Sequence, residues 1–201
     1  MPPSGWTLAV LLALYVFTGL IGHDPWKHDD AITIGVVHDI LSNGQWLTPG
    51  LAGRPYPEPP LYYWVAAAAG YLWSWLLPLH EGARLAALGF ILLAARELHG
   101  REQAPAAPLL LAGSIGFLFH AHEAQPMLAT LTAHTAAYWG LTQLLGKRPR
   151  HGATCFGAAL GLGLLANGLA AMLPLLPVAT FVVWRSDNRQ LSALLLLGSL
   201  L

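Results

Sequence analysis

Long apolar segments alternate with short polar intervals along most of the chain, and this pattern predicts a helical membrane protein. A membrane-crossing helix needs about 20 apolar residues, and irregular or strand-like spans are excluded because unsatisfied backbone groups are costly in lipid. We therefore predict an all-α, polytopic bundle that forms a single membrane domain over residues 1–201. The apolar segments lie at 6–22, 61–79, 83–98, 108–121, 126–146, 154–166, 169–184 and 191–201.

One polar interval, residues 24–64, is both long and acidic. Carboxylates so close to a membrane segment are costly to keep unless they face water or take part in chemistry. Within the interval, the spacing of apolar residues predicts a helix from Ala31 to about Leu41. We interpret the interval as the active-site loop of a membrane enzyme. Its carboxylates are Asp24, Asp29, Asp30, Asp39 and Glu58, against the basic residues Lys27 and Arg54.

Composition supports a membrane protein and removes several classes of function. The chain is 55% hydrophobic and 10% charged, with a mean hydropathy of +0.52, whereas an ordinary soluble domain has about 25% charged residues. Ten Lys and Arg balance ten Asp and Glu, so no basic surplus indicates a nucleic-acid partner. The single cysteine, Cys155, excludes an intramolecular disulfide and a multi-cysteine zinc site.

The two ends of the chain lead to separate expectations. Segment 6–22 lacks the basic region and the cleavage site of a removable signal peptide, so we expect a retained anchor. Segment 191–201 is too short to cross a bilayer. We therefore expect either an incomplete last helix or the N-terminal part of a longer protein.

The distribution of basic residues predicts the topology. Short cytoplasmic loops carry an excess of Lys and Arg, so the three basic clusters should share one side and the acidic interval the other, outer side. The predicted crossings place all three basic clusters on the cytoplasmic side only if segment 61–79 does not span the membrane. Its many Trp and Tyr residues suit a segment that lies at the membrane interface. An ordinary span at 61–79, with a weakly obeyed charge rule, remains the alternative. The basic clusters are Arg96 with Arg101, Lys147 with Arg148 and Arg150, and Arg185 with Arg189.

Asp29 and Asp30 stand at the start of the predicted helix and have two interpretations. Asp is a favourable N-cap residue, and its charge suits the positive end of a helix. Alternatively, one carboxylate points into a cavity as a general base. Both can hold if one Asp caps and the other is catalytic.

The stretch that follows, residues 44–64, is rich in proline and glycine and leads Glu58 to the start of segment 61–79. A proline-rich linker is the simpler interpretation. Linkers, however, rarely interleave so many aromatic side chains with their prolines.

At these residues the sequence resembles the N-terminal region of bacterial family-39-type glycosyltransferases, relatives of the protein O-mannosyltransferases and of the aminoarabinose transferases that modify lipid A. The resemblance rests on Asp-Asp-Ala after a first helix, then NGQWLTPGLAGRPY and EPPLYYW. It continues more weakly through GARLAALGF, HAHEAQPMLATL and GLGLLANGLAAMLPLL, so it covers nearly the whole chain.

The resemblance implies a GT-C-type helical fold and transfer of a sugar from a polyprenyl phosphate to a hydroxyl acceptor on the outer face of the bacterial cytoplasmic membrane. The acceptor would be lipid A, another glycolipid or a protein. Such transfer needs a carboxylate that removes the acceptor proton and cations or dipoles that stabilise the departing phosphate. The resemblance implies that Asp29 is the base and that Asp30 and Glu58 orient the acceptor. No cofactor, metal or nucleic acid is implied.

The chain also departs from the family pattern. Relatives commonly read Glu-Lys-Pro-Pro, whereas Glu58 is followed directly by Pro59, so a candidate phosphate-binding lysine is missing. An Asp of the second outer loop is replaced by Gln125, with Glu123 as a displaced substitute, and Asn167 stands where a lysine is common. The candidate substrate-binding residues are therefore Arg54, Tyr56, Lys27, Arg84, Glu123 and Asn167.

Two further patterns favour structural interpretations. Histidines near carboxylates, such as His120 and His122 beside Glu123, lack the spacing of a known metal site. Gly157, Gly161 and Gly163 are predicted to allow close helix packing.

The alternative to an enzyme is a degenerate family member that binds lipid-linked sugar without transfer, or a membrane assembly subunit.

Overall fold

Helices account for most of the chain in the computed structural model, which describes residues 5–17, 28–72, 79–120, 126–146 and 148–185. This confirms the predicted helical class. A 3-10 segment, Gly168–Met172, follows α8, and a short hairpin of strands β1 (Gly50–Leu51) and β2 (Arg54–Pro55) lies between α2 and α3. The helices described are α1 (Gly5–Phe17), α2 (His28–Asn43), α3 (Leu61–Leu72), α4 (Leu79–His99), α5 (Ala106–Ala112), α6 (Ile115–His120), α7 (Pro126–Leu145), α8 (Pro149–Asn167) and α9 (Leu175–Arg185).

Within the described ranges, one helical stretch is long and apolar enough to cross a membrane. It runs from Pro149 to Met172, has 24 residues with a mean hydropathy of 1.7 over its most apolar 18 residues, and combines α8 with the 3-10 segment. It contains the predicted segment 154–166. Length and composition thus agree with a helical membrane protein.

Helices α7 and α8 form the closest packed pair because glycine lets their backbones meet. A Cβ atom on Gly140 would lie 2.7 Å from the backbone N of Phe156, and one on Gly152 would lie 2.6 Å from the carbonyl O of Gly140. Both distances are shorter than a Cβ atom tolerates. Around this crossing, Leu144 and Phe156 are each 1% exposed and anchor a cluster that also includes residues of α9.

The glycine prediction for α8 is therefore only partly confirmed. Gly157 is buried and Gly163 lies at ordinary contact distance from Ala171 and Ala133. Gly161, in contrast, faces open space, so its predicted packing role is wrong. The close approach falls instead at Gly152, one turn or more nearer the N-terminus of α8.

Helices α2 and α3 pack through a second cluster, which carries the β-hairpin. Val36 and Ile40 of α2 are fully buried against Tyr63 and Ala67 of α3. The hairpin lies on α2, because a Cβ atom on Gly35 would approach Leu51 Cδ1 to 2.7 Å. The hairpin is thus held against α2 by close packing.

A third cluster joins α1 to the middle of the chain. Leu88 of α4, Phe117 of α6 and Leu128 of α7 are buried together, and the ring of Tyr15 stacks on Phe117 at 5.9 Å. Helix α1 therefore contacts α6 through Tyr15, and its Leu12 and Tyr15 pack against this cluster.

Several element boundaries differ from the prediction. Segment 108–121 is divided at Gly113 and Ser114 into α5 and α6. The division has a local cause, since the Ser114 hydroxyl accepts a hydrogen bond from the N–H of Phe117 at 3.3 Å and so caps the new helix. Helix α2 is longer than predicted at both ends, and segment 191–201 lies outside the described residues.

Candidate active site

Asp29 and Asp30 lie in the first turn of α2, which begins at His28. Both residues therefore lie inside the helix and not at its N-cap. Their negative charge in the first turn still stabilises the helix through its dipole. Asp29 is exposed, whereas Asp30 is 2% exposed and shares the buried face of α2 with Thr33 and Val36. The two neighbouring carboxylates thus occupy different environments, and only Asp29 is open to solvent.

The β-hairpin fixes the path of the chain that leads to Glu58. Its two turn residues, Ala52 and Gly53, have φ values of 53° and 77°, as in the two-residue turns whose twist matches antiparallel strands. Just beyond the hairpin, the N–H of Tyr56 donates to the carbonyl O of Pro49 at 2.8 Å. Tyr56 and Glu58 are thereby placed beside α2 and α3.

Three side chains then meet in what we call the tyrosine–glutamate cluster, formed by Tyr56, Glu58 and Tyr63. The Tyr63 hydroxyl donates a hydrogen bond to Glu58 Oε2 at 3.2 Å. The rings of Tyr56 and Tyr63 meet edge to face, with centroids 5.7 Å apart. Tyr63 is 1% exposed, whereas Glu58 is exposed, so the carboxylate connects a buried donor to solvent.

The electrostatics of the cluster include Asp29. Burial, and then the negative charge of Glu58, raise the pKa of the Tyr63 hydroxyl far above its ordinary value. Burial also raises the pKa of Tyr56, and Glu58 and Asp29 add to the effect. Both hydroxyls therefore remain protonated donors at neutral pH, and the charge of Asp29 is the weakest of the effects on Tyr56.

The turn at Asn167 and Gly168 lies next to this loop. Gly168 has a φ of 59°, and a Cβ atom on it would lie 3.8 Å from Pro59 Cγ. The 3-10 segment after the turn is held by His134 of α7, whose Nε2 lies 2.7 Å from the carbonyl O of Ala171. Asn167 is half-buried. The structure thus brings the end of α8 to the residues around Glu58.

An apolar cavity of about 440 Å³ opens among α3, α4, α7 and α8. One wall is the start of α3, the helix that follows Glu58 and its two prolines. The other walls carry small and aromatic side chains and the single cysteine. Its lining includes Tyr62, Val65, Phe90, Trp139, Cys155 and Ala158.

The structure describes only some of the remaining predicted site residues. Arg54 is exposed on β2, close in sequence to the tyrosine–glutamate cluster. Arg84 lies in α4, but its side chain is outside the described part of the structure, and Lys27 and Glu123 lie wholly outside the described residues. In the ranges that are described, no three His, Cys, Asp or Glu side chains gather as metal ligands would.

Two residues with clear roles in the loop were not singled out from the sequence. Asp39 accepts a hydrogen bond from Asn43 Nδ2 of the same helix at 2.7 Å, and its other oxygen is 2.7 Å from where a Cβ atom on Gly50 would lie, so it packs closely against the hairpin. The sequence indicates Tyr63 only as one of the many Trp and Tyr residues of segment 61–79. Tyr63 lies five positions after Glu58, and two prolines and the start of a helix separate them. This spacing does not predict a contact between the two side chains.

Comparison with known proteins identifies the relatives of the chain. It is 30% identical to an undecaprenyl phosphate-α-4-amino-4-deoxy-L-arabinose arabinosyl transferase of Edwardsiella ictaluri, over 98% of this chain and 37% of the relative. The transferase of the same name from Pseudomonas aeruginosa strain LESB58 is 28% identical over 96% of the chain and 38% of its own length. One from Sodalis glossinidius is 28% identical over 88% of the chain and 34% of its length.

The chain thus spans little more than a third of the curated relatives that it matches. No protein-family model matches it, and no solved structure matches it significantly. The resemblance first seen in the motifs around Asp29 and Glu58 is nevertheless confirmed: the chain is a homologue of the undecaprenyl phosphate-aminoarabinose arabinosyl transferases, which are polyprenyl-phosphate-dependent glycosyltransferases.

Proposed function

We propose that the protein is a GT-C-type glycosyltransferase that moves a sugar from an undecaprenyl-phosphate donor to a hydroxyl acceptor. The observation that carries this proposal is the tyrosine–glutamate cluster, which lies beside an apolar cavity on the same helix α3. Polar groups for a sugar and an apolar space for a lipid chain are thus adjacent. The printed names of the relatives supply the donor class.

Asp29 serves as the general base because it is the exposed carboxylate of the pair. In one displacement, the acceptor oxygen forms a bond to the anomeric carbon while the bond from that carbon to the phosphate oxygen breaks. The acceptor proton passes to Asp29, and the electron pair of the broken bond leaves with undecaprenyl phosphate. Attack from the face opposite the phosphate inverts the anomeric centre. Glu58 orients the acceptor hydroxyl, and Asp30 supports the start of α2 from its buried position.

The departing phosphate needs positive charge or hydrogen-bond donors. The lysine that relatives commonly have after the glutamate is absent at Pro59, so Arg54 on the hairpin is the best placed described cation. Lys27 and Arg84 are further sources of charge, and Glu123 and Asn167 further polar contacts for the sugar. Tyr56, whose hydroxyl stays protonated, supplies a neutral donor.

The apolar cavity suits the first part of an isoprenoid chain. Its volume of about 440 Å³ lies within the usual range for ligand pockets, roughly 300 to 1,000 Å³. An alkyl or isoprenoid chain that leaves water for such a cavity gains roughly 25 cal/mol per Å² of buried apolar surface. The cavity therefore anchors the lipid and leaves its phosphate at the start of α3.

The membrane arrangement follows from the same proposal. With α3 at the interface, the acidic loop and the Asn167 turn face the outside of the bacterial cytoplasmic membrane, and the basic clusters face the cytoplasm. The protein is then a polytopic bundle and the N-terminal part of a longer transferase. The acceptor is lipid A, another glycolipid or a protein.

One observation favours a second candidate function. Without a lysine after Glu58, the site has less positive charge for a leaving phosphate, which suits a protein that binds lipid-linked sugar without transferring it. Binding of donor without release of undecaprenyl phosphate would identify this alternative.

Filling the apolar cavity tests the donor site. Ala158 lines the cavity yet is exposed, so Ala158→Phe should fill part of it at little cost to folding. We expect the Kd of the full-length protein for undecaprenyl phosphate in detergent micelles to rise about tenfold, because lost apolar contact of roughly 1.4 kcal/mol is a tenfold change in affinity. Intrinsic tryptophan fluorescence, to which the cavity residue Trp139 contributes, can follow the titration.

The matched control is Leu165→Phe, an exposed position on the same helix α8. It should leave the Kd unchanged. Equal affinity of the Ala158→Phe variant and the wild type would contradict the placement of the lipid chain in this cavity.

A further inference from the structure

Tyr63 is the buried member of the tyrosine–glutamate cluster, and its hydroxyl contacts the exposed carboxylate of Glu58. Its hydroxyl donates to Glu58 Oε2 at 3.2 Å while its ring is 1% exposed. The ring is clamped edge to face by Tyr56 at 5.7 Å and by Tyr62 at 5.9 Å. The Tyr63 hydroxyl is therefore held in one position and cannot follow the Glu58 carboxylate if that side chain moves.

Glu58 has the opposite character, because it is exposed and its side chain has three rotatable bonds. Its backbone is restricted by Pro57 on one side and Pro59 on the other. Only the side chain therefore remains to be fixed. A hydrogen bond from a rigid neutral donor to a carboxylate is stronger than one between neutral groups, and it leaves lone pairs of the carboxylate for a substrate hydroxyl.

We propose that Tyr63 is a positioning residue: its buried hydroxyl fixes the carboxylate of Glu58 in the orientation that receives the acceptor. This inference rests on the proposed transferase function and adds a residue to it. Burial keeps the hydroxyl protonated over the whole physiological pH range, so the contact persists under all conditions in which the protein works.

The test is a double-mutant cycle on sugar transfer by the full-length protein. Tyr63→Phe removes only the hydroxyl and should lower kcat/KM for the acceptor about 10- to 100-fold, the range for a lost hydrogen bond to a charged group. Glu58→Gln should have an equal or larger effect. The double variant should match Glu58→Gln alone within about twofold, because Tyr63 acts only through Glu58. The KM for the lipid-linked donor should stay unchanged in Tyr63→Phe.

The control is Tyr138→Phe, which removes a hydroxyl from a half-buried tyrosine of α7 that packs against the α7–α8 core. It should leave both kinetic parameters unchanged. A thermal midpoint measured on each variant shows whether it is folded.

The outcomes separate the inference from the proposed function. If the wild type transfers sugar and the effects of Tyr63→Phe and Glu58→Gln multiply independently, Tyr63 does not position Glu58. Wild-type activity in the Tyr63→Phe variant would overturn the inference in the same way. If the correctly inserted wild type transfers no sugar, the proposed function fails first and the positioning role falls with it.

Discussion

Replacing Gly152 by alanine should prevent α7 and α8 from packing as they do. The new methyl group would lie 2.6 Å from the carbonyl O of Gly140 and even closer to the backbone N of Leu144. Both obstacles are backbone atoms of another helix, so neither can rotate away as a side chain could. Overpacking a core typically costs about 1 to 3 kcal/mol, and we expect at least the upper end here.

The measurement is the thermal unfolding midpoint of the purified protein in detergent, compared with Gly161→Ala on the same helix. Gly161 has nothing within 4 Å of its Cβ position. Alanine there should be neutral or stabilising by up to about 1 kcal/mol because of its higher helix propensity. Equal midpoints for the two variants would show that the α7–α8 crossing is not as close as described.

Asp29→Asn should have the largest effect on catalysis. Asparagine keeps the shape of the side chain but cannot accept the proton of the acceptor hydroxyl. A positioned general base contributes typically 10² to 10⁴ in rate, so we expect kcat to fall by about that factor while the protein still binds undecaprenyl phosphate. Initial rates of sugar transfer at saturating donor measure it.

Asp39→Asn is the matched control, since it is the same change on the same helix α2. Asp39 packs against the hairpin at Gly50, accepts a hydrogen bond from Asn43 within α2, and lies outside the tyrosine–glutamate cluster. Its replacement should alter kcat by no more than about threefold, the change expected from loss of about 0.6 kcal/mol of transition-state binding. A comparable loss of rate in both variants would mean that Asp29 acts through loop structure and not as a base.

The sequence was informative where the signal is local. Apolar runs predicted α4 and α7 to within a few residues, and the acidic interval predicted a helix after Asp29 together with a constrained loop ending at Glu58. The family motifs lie in this same interval, so the loop indicated both the relatives and the candidate carboxylates. Local sequence controls these features because helix periodicity and proline constraints act over a few residues.

Contacts between distant parts of the chain could not be predicted in the same way. Gly152 and Gly161 look alike in sequence, and only the position of α7 makes one intolerant of a methyl group. Tyr62 and Tyr63 are neighbours, yet one lines the apolar cavity and the other holds Glu58. The break between α5 and α6 could not be predicted either, because Gly and Ser occur within many continuous helices. The hydrogen bond that caps α6 at Ser114 is visible only in the structure.

If this loop catalyses transfer from a polyprenyl-phosphate sugar, a labelled transfer assay will detect the transferred sugar. Membranes containing the full-length protein are incubated with undecaprenyl-phosphate donors that carry radiolabelled sugars, and glycolipid and protein products are extracted separately. We predict that label moves from the donor into one of these fractions, and that Asp29→Asn abolishes the movement while Asp39→Asn preserves it. If correctly inserted wild-type protein transfers no label, or if Asp29→Asn leaves the transfer unaffected, this loop does not catalyse the reaction as proposed.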